Sequence, residues 1–388
     1  MIVLFDKKKQ RIPLKIWLSD PSQVEGEALQ QALNLTILPF AYRQVALMPD
    51  VHTGYGMPIG GVLATEETII PYAVGLDIGC GMHAALTPYT AEDFPRERLK
   101  SVMGRIRAAI PQGFDWHPQA QKGEILDRMP LHLPLFQQEE RRVRKQLGTL
   151  GGGNHFIELQ KDGENRLWVM IHSGSRNIGK QTAEYFHKKA KDICRKKRAD
   201  LPTSELSFLD VNSQEGQDYL DAMNWCLGFA HQNRSRMMEV VLDILQTSPQ
   251  EKLDIHHNYA VREKHFGRNV WVHRKGATRA SKDERGIIPG SMGSPSYIVR
   301  GLGNPESFLS CAHGAGRKMG RREARRKIPV HEVLESMKAR GVEISTGNLR
   351  ELPEEAAQAY KDIDQVMDQQ TDLVEIQIKL TPLGVIKG

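Results

Sequence analysis

Short apolar runs, each stopped by glycine or proline, recur along the chain. "RQVALMP", "PIGGVLAT", "YAVGLDI", "HFIEL", "RLWVMIH", "NVWVH", "SYIVRG" and "FLSCA" have strand length and turn-forming flanks, which predicts strands. A different period appears in the middle. Tyr219, Met223, Cys226, Ala230, Met237, Val241 and Ile244 form a stripe of helical spacing, which predicts a helix over about 216–246. A second helix is expected over about 182–198. A third, over about 354–370, leads into a terminal alternating strand, "LVEIQIKL". The mixture predicts an α+β (mixed α/β) fold, β-sheets surrounded by helices. One domain is expected over 1–388, with the two central helices as an insertion or flap at about 180–250. No internal repeat, low-complexity tract or Pro/Ser-rich linker divides it.

Composition changes this picture little. The chain has 388 residues, 40% hydrophobic and 26% charged, enough for a large core and close to an average globular protein. No apolar run reaches membrane-spanning length, and "MIVLFDKKKQRIPLK" does not read as a signal peptide. Four widely spaced cysteines, Cys80, Cys194, Cys226 and Cys311, imply no disulfide framework and point to the cytosol. Cys194 and Cys226, on helical stripes, read as packing residues. The net charge, +6 from 53 basic and 47 acidic residues, is modest, but its distribution is uneven. "HKKAKDICRKKR" (187–198) reads equally well as a solvated helix face. "GRKMGRREARRK" (316–327) directly follows a histidine–glycine motif and is the stronger candidate for phosphate contact.

Candidate chemistry lies where apolar runs end in glycine turns. "AVGLDIGCGM" carries Asp77 and Cys80, "LGGGNHFIEL" His155, "LWVMIHSGSRNIG" His172, "NVWVHRKGATRA" His273, and "FLSCAHGAGR" His313. A strand end holds a side chain rigidly, and adjacent glycines admit a ligand. Each histidine alone is more often an ordinary core or surface residue. Repetition of one context argues for a shared site. His52, His83, His256, His257 and His265 are read as ordinary. Asp77, Cys80, His155, His172 and His273 suit a divalent metal, and their scatter excludes a zinc finger. Asp77 and Cys80 can reach the same one or two ions. Ligand softness favours Zn²⁺ over Mn²⁺ but does not settle the metal. The loops "LGGGNHF", "SGSRNIG", "IPGSMGS" and "HGAGRKMG" offer backbone N–H groups to phosphate, and none is a Walker A motif. Metals, anion-binding loops and arginines together point to phosphoryl or nucleotidyl chemistry.

In order along the chain, "MPDVHTGYGMPIGG", "DIGCGM", "GTLGGGNHFIEL", "IHSGSR", "HRKGAT", "PGSMGSPSYIV", "HGAGR" and the terminal "GVIKG" resemble the RtcB family of RNA ligases, from Met48 to Gly388. The resemblance implies joining of RNA 3′-phosphate or 2′,3′-cyclic phosphate ends to 5′-hydroxyl ends, in RNA splicing or repair. It implies GTP as co-substrate, two Mn²⁺ ions and a histidine–GMP intermediate. By the same match His313 is the guanylylated residue. Asp77, Cys80, His155, His172 and His273 are the metal ligands, with Cys80 shared between the ions. Asn154, His155, Phe156, Ile157, Glu158, His273, Arg274, Pro289, Gly290, Ser291, Met292, Ser296, His313, Gly314, Ala315, Gly316 and Lys387 would meet the nucleotide, Lys387 reading guanine. Arg176 and Arg317 would face the RNA phosphates. A metal-dependent RNA phosphoesterase on the same scaffold is the competing reading. It needs the metal ligands but neither His313 nor Lys387.

Overall fold

The computed structural model describes all 388 residues, and its helices and sheets are mixed in the α+β manner expected. Six strands form one sheet, in the order Ile2–Leu4, Leu14–Ile16, Ala41–Tyr55, Met57–Thr65, Arg268–Lys275 and Asn258–His265. The larger sheet runs Glu251–His256, Gly81–Thr90, Arg166–Ser173, Phe156–Lys161, Val374–Lys387, Ser296–Gly301 and Arg285–Ile288. Glu343–Thr346 pairs parallel to the far end of the terminal strand. The chain passes from the larger sheet to the smaller at His257, the single residue between Glu251–His256 and Asn258–His265.

Most apolar runs fold as their pattern predicts, because each buries one or both faces. Two expectations fail. "YAVGLDI" is no strand. Pro71–Val74 forms one helical turn, favoured by proline at its first position, and the chain then loops through Gly75 to Cys80. The helix expected over 354–370 is broken into 3₁₀ turns at Leu349–Glu355 and Ala357–Ala359 and a short helix at Ile363–Asp368. Pro353 disrupts the first piece. Asp362 starts the last one afresh, its carboxylate accepting the N–H of Asp364.

The two long helices, Asn177–Lys196 and Gln214–Leu245, are packed into the body rather than hung from it. The stripe on the second is buried in two stretches. Tyr219, Trp225 and Phe229 enter one core with Phe136 and Phe186. Met237, Val241 and Leu245 enter another, against Val169, Ile171 and Ile386 of the larger sheet. Each such side chain contributes roughly 1.5–3 kcal/mol by burial. Cys194 and Cys226 pack as expected, and all four cysteines are buried free thiols. No helix is long and apolar enough to cross a membrane.

Candidate active site

A cavity of about 640 Å³ opens between the two sheets, a volume suited to a nucleotide. Its floor holds two overlapping donor triads, Asp77–Cys80–His155 and Cys80–His172–His257. The ligand atoms of each lie within 4.8 Å of one another, and Cys80 belongs to both. Cys80 Sγ lies 3.2 Å from His172 Nε2 and 3.5 Å from His155 Nε2, and Asp77 Oδ2 lies 3.1 Å from His155 Nε2.

Local structure aims these donors. Antiparallel register sets His172 opposite both Phe156 and Met82. His155 Nδ1 meets Leu150 O at 2.9 Å and His172 Nδ1 meets Asn154 O at 3.0 Å. A carbonyl only accepts, so each Nδ1 carries the proton and each Nε2 presents a lone pair to the cluster. Buried Arg234 fixes the loop from behind, donating to Gly79 O and Ser173 O and pairing with Asp254. Asn258 donates to Asp77 O and accepts the N–H of Gly276.

The donor chemistry fits a divalent cation. Burial holds His172 and His257 well below the usual imidazole range, so both are neutral. Burial and the neighbouring Asp77 push the Cys80 thiol up, a cost that a cation between these groups reverses. Asp77 Oδ1 and His257 Nδ1 are buried without a hydrogen-bond partner, as ligands aimed at an ion would be.

His257 was read as ordinary and belongs to this cluster. His273, read as a ligand, does not. His273 sits in mid-strand, fully buried, with Nε2 accepting the N–H of Ile70 and Nδ1 facing Leu63 O and Trp271 O. Its glycine comes three residues later, so the ring stays inside the sheet. The usable signal for His257 was "IHHNY", a paired histidine where one strand run stops and another begins.

His313 lies on the cavity wall beside the cluster, its ring centroid 4.8 Å from that of His257. Its backbone N–H donates to Asp50 Oδ2 at 3.0 Å, and its Nδ1 meets the same oxygen at 2.5 Å. Asp50 is fully buried and carries no role in the sequence reading, although it stands in "MPDVH". A carboxylate there accepts the hydrogen bond from Nδ1–H and fixes the proton on that nitrogen, leaving the Nε2 lone pair for the cavity. Gly316 closes the turn at φ +72°, and a Cβ on it would strike the Asp50 carbonyl. The second glycine of "HGAG" is therefore required by this close approach.

Of the residues implicated in nucleotide contact, Asn154, Phe156, Glu158, Pro289, Gly290 and Ser291 line the cavity, as do Met292, Gly314, Ala315, Gly316 and Lys387. Five do not line it. His155 sits in the donor cluster with Asp77 and Cys80. Ile157 points by strand alternation into the opposite core. Arg274 is buried in a bidentate pair with Glu263 and also holds Ser310 and Phe308 O. Ser296 stands behind the wall, bonding Gln160 and Gly290 N. His273 is accounted for above.

Glu158 and Lys387 face each other across one end. Burial raises the Glu158 carboxyl to about 7, against a hydrogen bond from Gln160 and the charge of Lys387. Lys387 Nζ donates to Gly153 O (2.8 Å) and His155 O (3.0 Å). The terminal strand carries it there, paired with Phe156–Lys161 on one side and Glu343–Thr346 on the other.

The two arginines assigned to RNA have internal partners. Arg176 donates to Thr149 Oγ1 and Gly113 O. Arg317 lines the cavity but donates to Tyr360 Oη, Glu354 O and Met319 O. Arg321, in the basic run, reaches the cavity and lies 3.8 Å from Glu354, while Arg325 pairs more closely with Glu354 and Lys327 with Glu323.

Comparison with known proteins agrees with this geometry. The family model described as tRNA-splicing ligase RtcB matches residues 31–133 and 132–388. The chain is 39% identical over 406 aligned positions to the RNA-splicing ligase RtcB of Escherichia coli (strain K12), covering 98% of each. It is 32% identical over 435 positions to the RNA-splicing ligase RtcB of Mycobacterium tuberculosis, covering 92% of this chain and all of that one. It is 31% identical over 465 positions to the tRNA-splicing ligase RtcB of Pyrobaculum aerophilum, covering 98% and 96%. Identity of that level, sustained over nearly the whole length of both chains, means that this chain belongs to the RtcB family.

Proposed function

We propose that this RtcB-family RNA ligase joins RNA 3′-phosphate or 2′,3′-cyclic phosphate ends to 5′-hydroxyl ends, using GTP and Mn²⁺, with His313 carrying the guanylate. The observation that supports this best is the Asp50–His313 pair, a tautomer-fixed nucleophile set against a two-triad donor cluster. His313 Nε2 attacks the α-phosphorus of GTP. A P–N bond forms, the bond to the β-phosphate oxygen breaks, and pyrophosphate leaves. Asp50 stabilises the positive charge that the ring acquires. The RNA 3′-phosphate then takes GMP from the histidine. The 5′-hydroxyl attacks the activated phosphate and expels GMP, leaving a phosphodiester. Water opens a cyclic phosphate before these steps.

Asp77, Cys80, His155, His172 and His257 would hold two Mn²⁺ ions with the thiolate shared. Bound there, such ions neutralise phosphate charge and orient the leaving group. Softness alone favours Zn²⁺ for this set, and Mn²⁺ follows from the family resemblance. Glu158 accepts from the guanine edge, and Lys387 donates to its carbonyl. Four buried thiols without a disulfide agree with a reducing compartment, the cytosol. The phosphoesterase reading is not favoured. It leaves the Asp50–His313 pair and the buried terminal lysine without a task, and the relatives are named as ligases.

The test is incubation with α-labelled GTP and Mn²⁺. Acid-labile, alkali-stable label should appear on the protein and vanish in His313→Ala. Undiminished label in that variant would place the nucleophile elsewhere.

A further inference from the structure

Outside the cavity, the large apolar side chain with least protein around it is Phe114. It is 100% exposed, and Trp116, two residues on, is 42% exposed. Both stand in the loop that follows the helix Arg96–Ala109. That loop is tied to the active site. Gly113 N–H donates to Gly151 O (2.9 Å), Leu150 N–H to Pro111 O (2.9 Å) and His117 N–H to Lys145 O (3.0 Å). Arg176 Nη2 donates to Gly113 O (2.8 Å). Residues 150–153 lead directly into Asn154 and His155. Gly388, after Lys387, lies against the same place, since a Cβ on it would come within 3.0 Å of Gly113 N. The aromatic pair is thus held at the rim, on the side where Glu158 and Lys387 lie.

The surroundings are cationic. Arg321 lies beside Gly153, where a Cβ would meet its Nη2 at 2.9 Å. Arg107, Arg141 and Arg142 are exposed nearby on the flanking helices, and the Arg142 guanidinium is 5.8 Å from the Trp116 ring centroid. The opposing acids are Asp115 in the loop and Glu139, which pairs with Arg142. An exposed aromatic face on an anchored loop, bordered by an excess of arginine, has the chemistry of a single-stranded nucleic-acid contact. Every base offers a π-face, and guanidinium groups track the phosphates.

We infer that Phe114 and Trp116 form a stacking platform for a base of the RNA strand, within a few nucleotides of the end being joined. The inference rests on the RNA-ligase reading for its occupant. It explains why the loop is bonded at one end to the Leu150–Gly151 segment and at the other to Lys145 O, because a platform must keep its distance from the reacting phosphate.

The experiment uses the whole protein and oligoribonucleotides with 2-aminopurine at each of the last three positions before the join, on either strand in turn. Wild type should quench one position, and Phe114→Ala/Trp116→Ala should relieve that quench and raise the RNA Kd about tenfold. Phe114→Tyr should keep both properties. Guanylate labelling from GTP should be unchanged in all three proteins, which also reports that the variants are folded. Equal quenching and a Kd within about twofold in the double alanine variant would overturn the platform and leave the loop as a protein-docking surface. Failure of the ligase reading shows separately, as absence of label on wild type, while the binding measurement still decides the platform.

Discussion

An imidazole attacks phosphorus only through a nitrogen whose lone pair is free, so the tautomer of His313 matters as much as its place. Asp50→Asn keeps the shape but can offer its N–H₂ to Nδ1, which favours the wrong tautomer and removes the compensating charge. Guanylate labelling should fall about 10²–10⁴-fold with GTP affinity little changed, measured by single-turnover labelling. A second residue-scale prediction concerns Glu158. Its native pKa of about 7 lies above the ordinary carboxyl value of 4.5, so the folded state holds a proton that the unfolded state loses. Stability is therefore given up as pH rises from about 4.5 to 7. Glu158→Gln should be more stable than wild type at pH 8, by up to about 3 kcal/mol, and equal to it near pH 4 in thermal melts. The same variant should label poorly with GTP, because it loses the anionic acceptor. Cys80 gives a third. Its thiolate is shared by both triads, so Cys80→Ser should lower bound metal more than His155→Ala or His257→Ala does, as metal analysis would show.

At the scale of elements, the last strand is the informative one. Chain ends usually fray. Here Val385 and Ile386 are buried, and Lys387 is bonded between two strands with its ammonium on two carbonyls. Deleting residues 387–388 should leave the fold and the metals in place, weaken GTP labelling about tenfold and narrow the preference for GTP over ATP. Labelling with both nucleotides measures this, and unchanged discrimination would make the lysine structural. The alternating pattern of "LVEIQIKL" announced a strand because period two is visible in any half-buried strand. The helix misjudged over 354–370 has good helix formers, but Pro353 and the cap at Asp362 overrule them.

For the molecule as a whole, the two arginines assigned to RNA and the one that reaches the cavity with fewer internal partners should behave differently. Arg321→Ala should lower the log–log salt slope of single-stranded RNA binding by about 0.7, the share of one phosphate contact. Arg317→Ala should instead destabilise the fold by about 1–3 kcal/mol, since it leaves Tyr360 Oη and the Glu354 and Met319 carbonyls without their donor and weakens the charge balance of buried Glu355, which keeps Lys387. Melting curves and salt titrations on the two variants separate these outcomes, and a slope change with Arg317→Ala alone would reverse the assignment.

Periodicity and glycine punctuation by themselves determined that the chain mixes strands with helices, that the stripe from Tyr219 to Ile244 is a core face, and that His155, His172 and His313 stand at strand ends beside glycine turns. These are properties of neighbours along the chain, and a sequence displays them directly. Which side chains meet is a property of separation in space. His257 and His273 look alike in sequence, and only the passage from one sheet to the other turns the first toward Cys80 while the second stays bonded to Ile70. Asp50 and His313 are 263 positions apart, and no local pattern links them. Arg176, Arg274 and Arg317 show the same limit for charge. A guanidinium in a glycine-rich motif reads as free for phosphate until the fold supplies the carbonyls and carboxylates that occupy it.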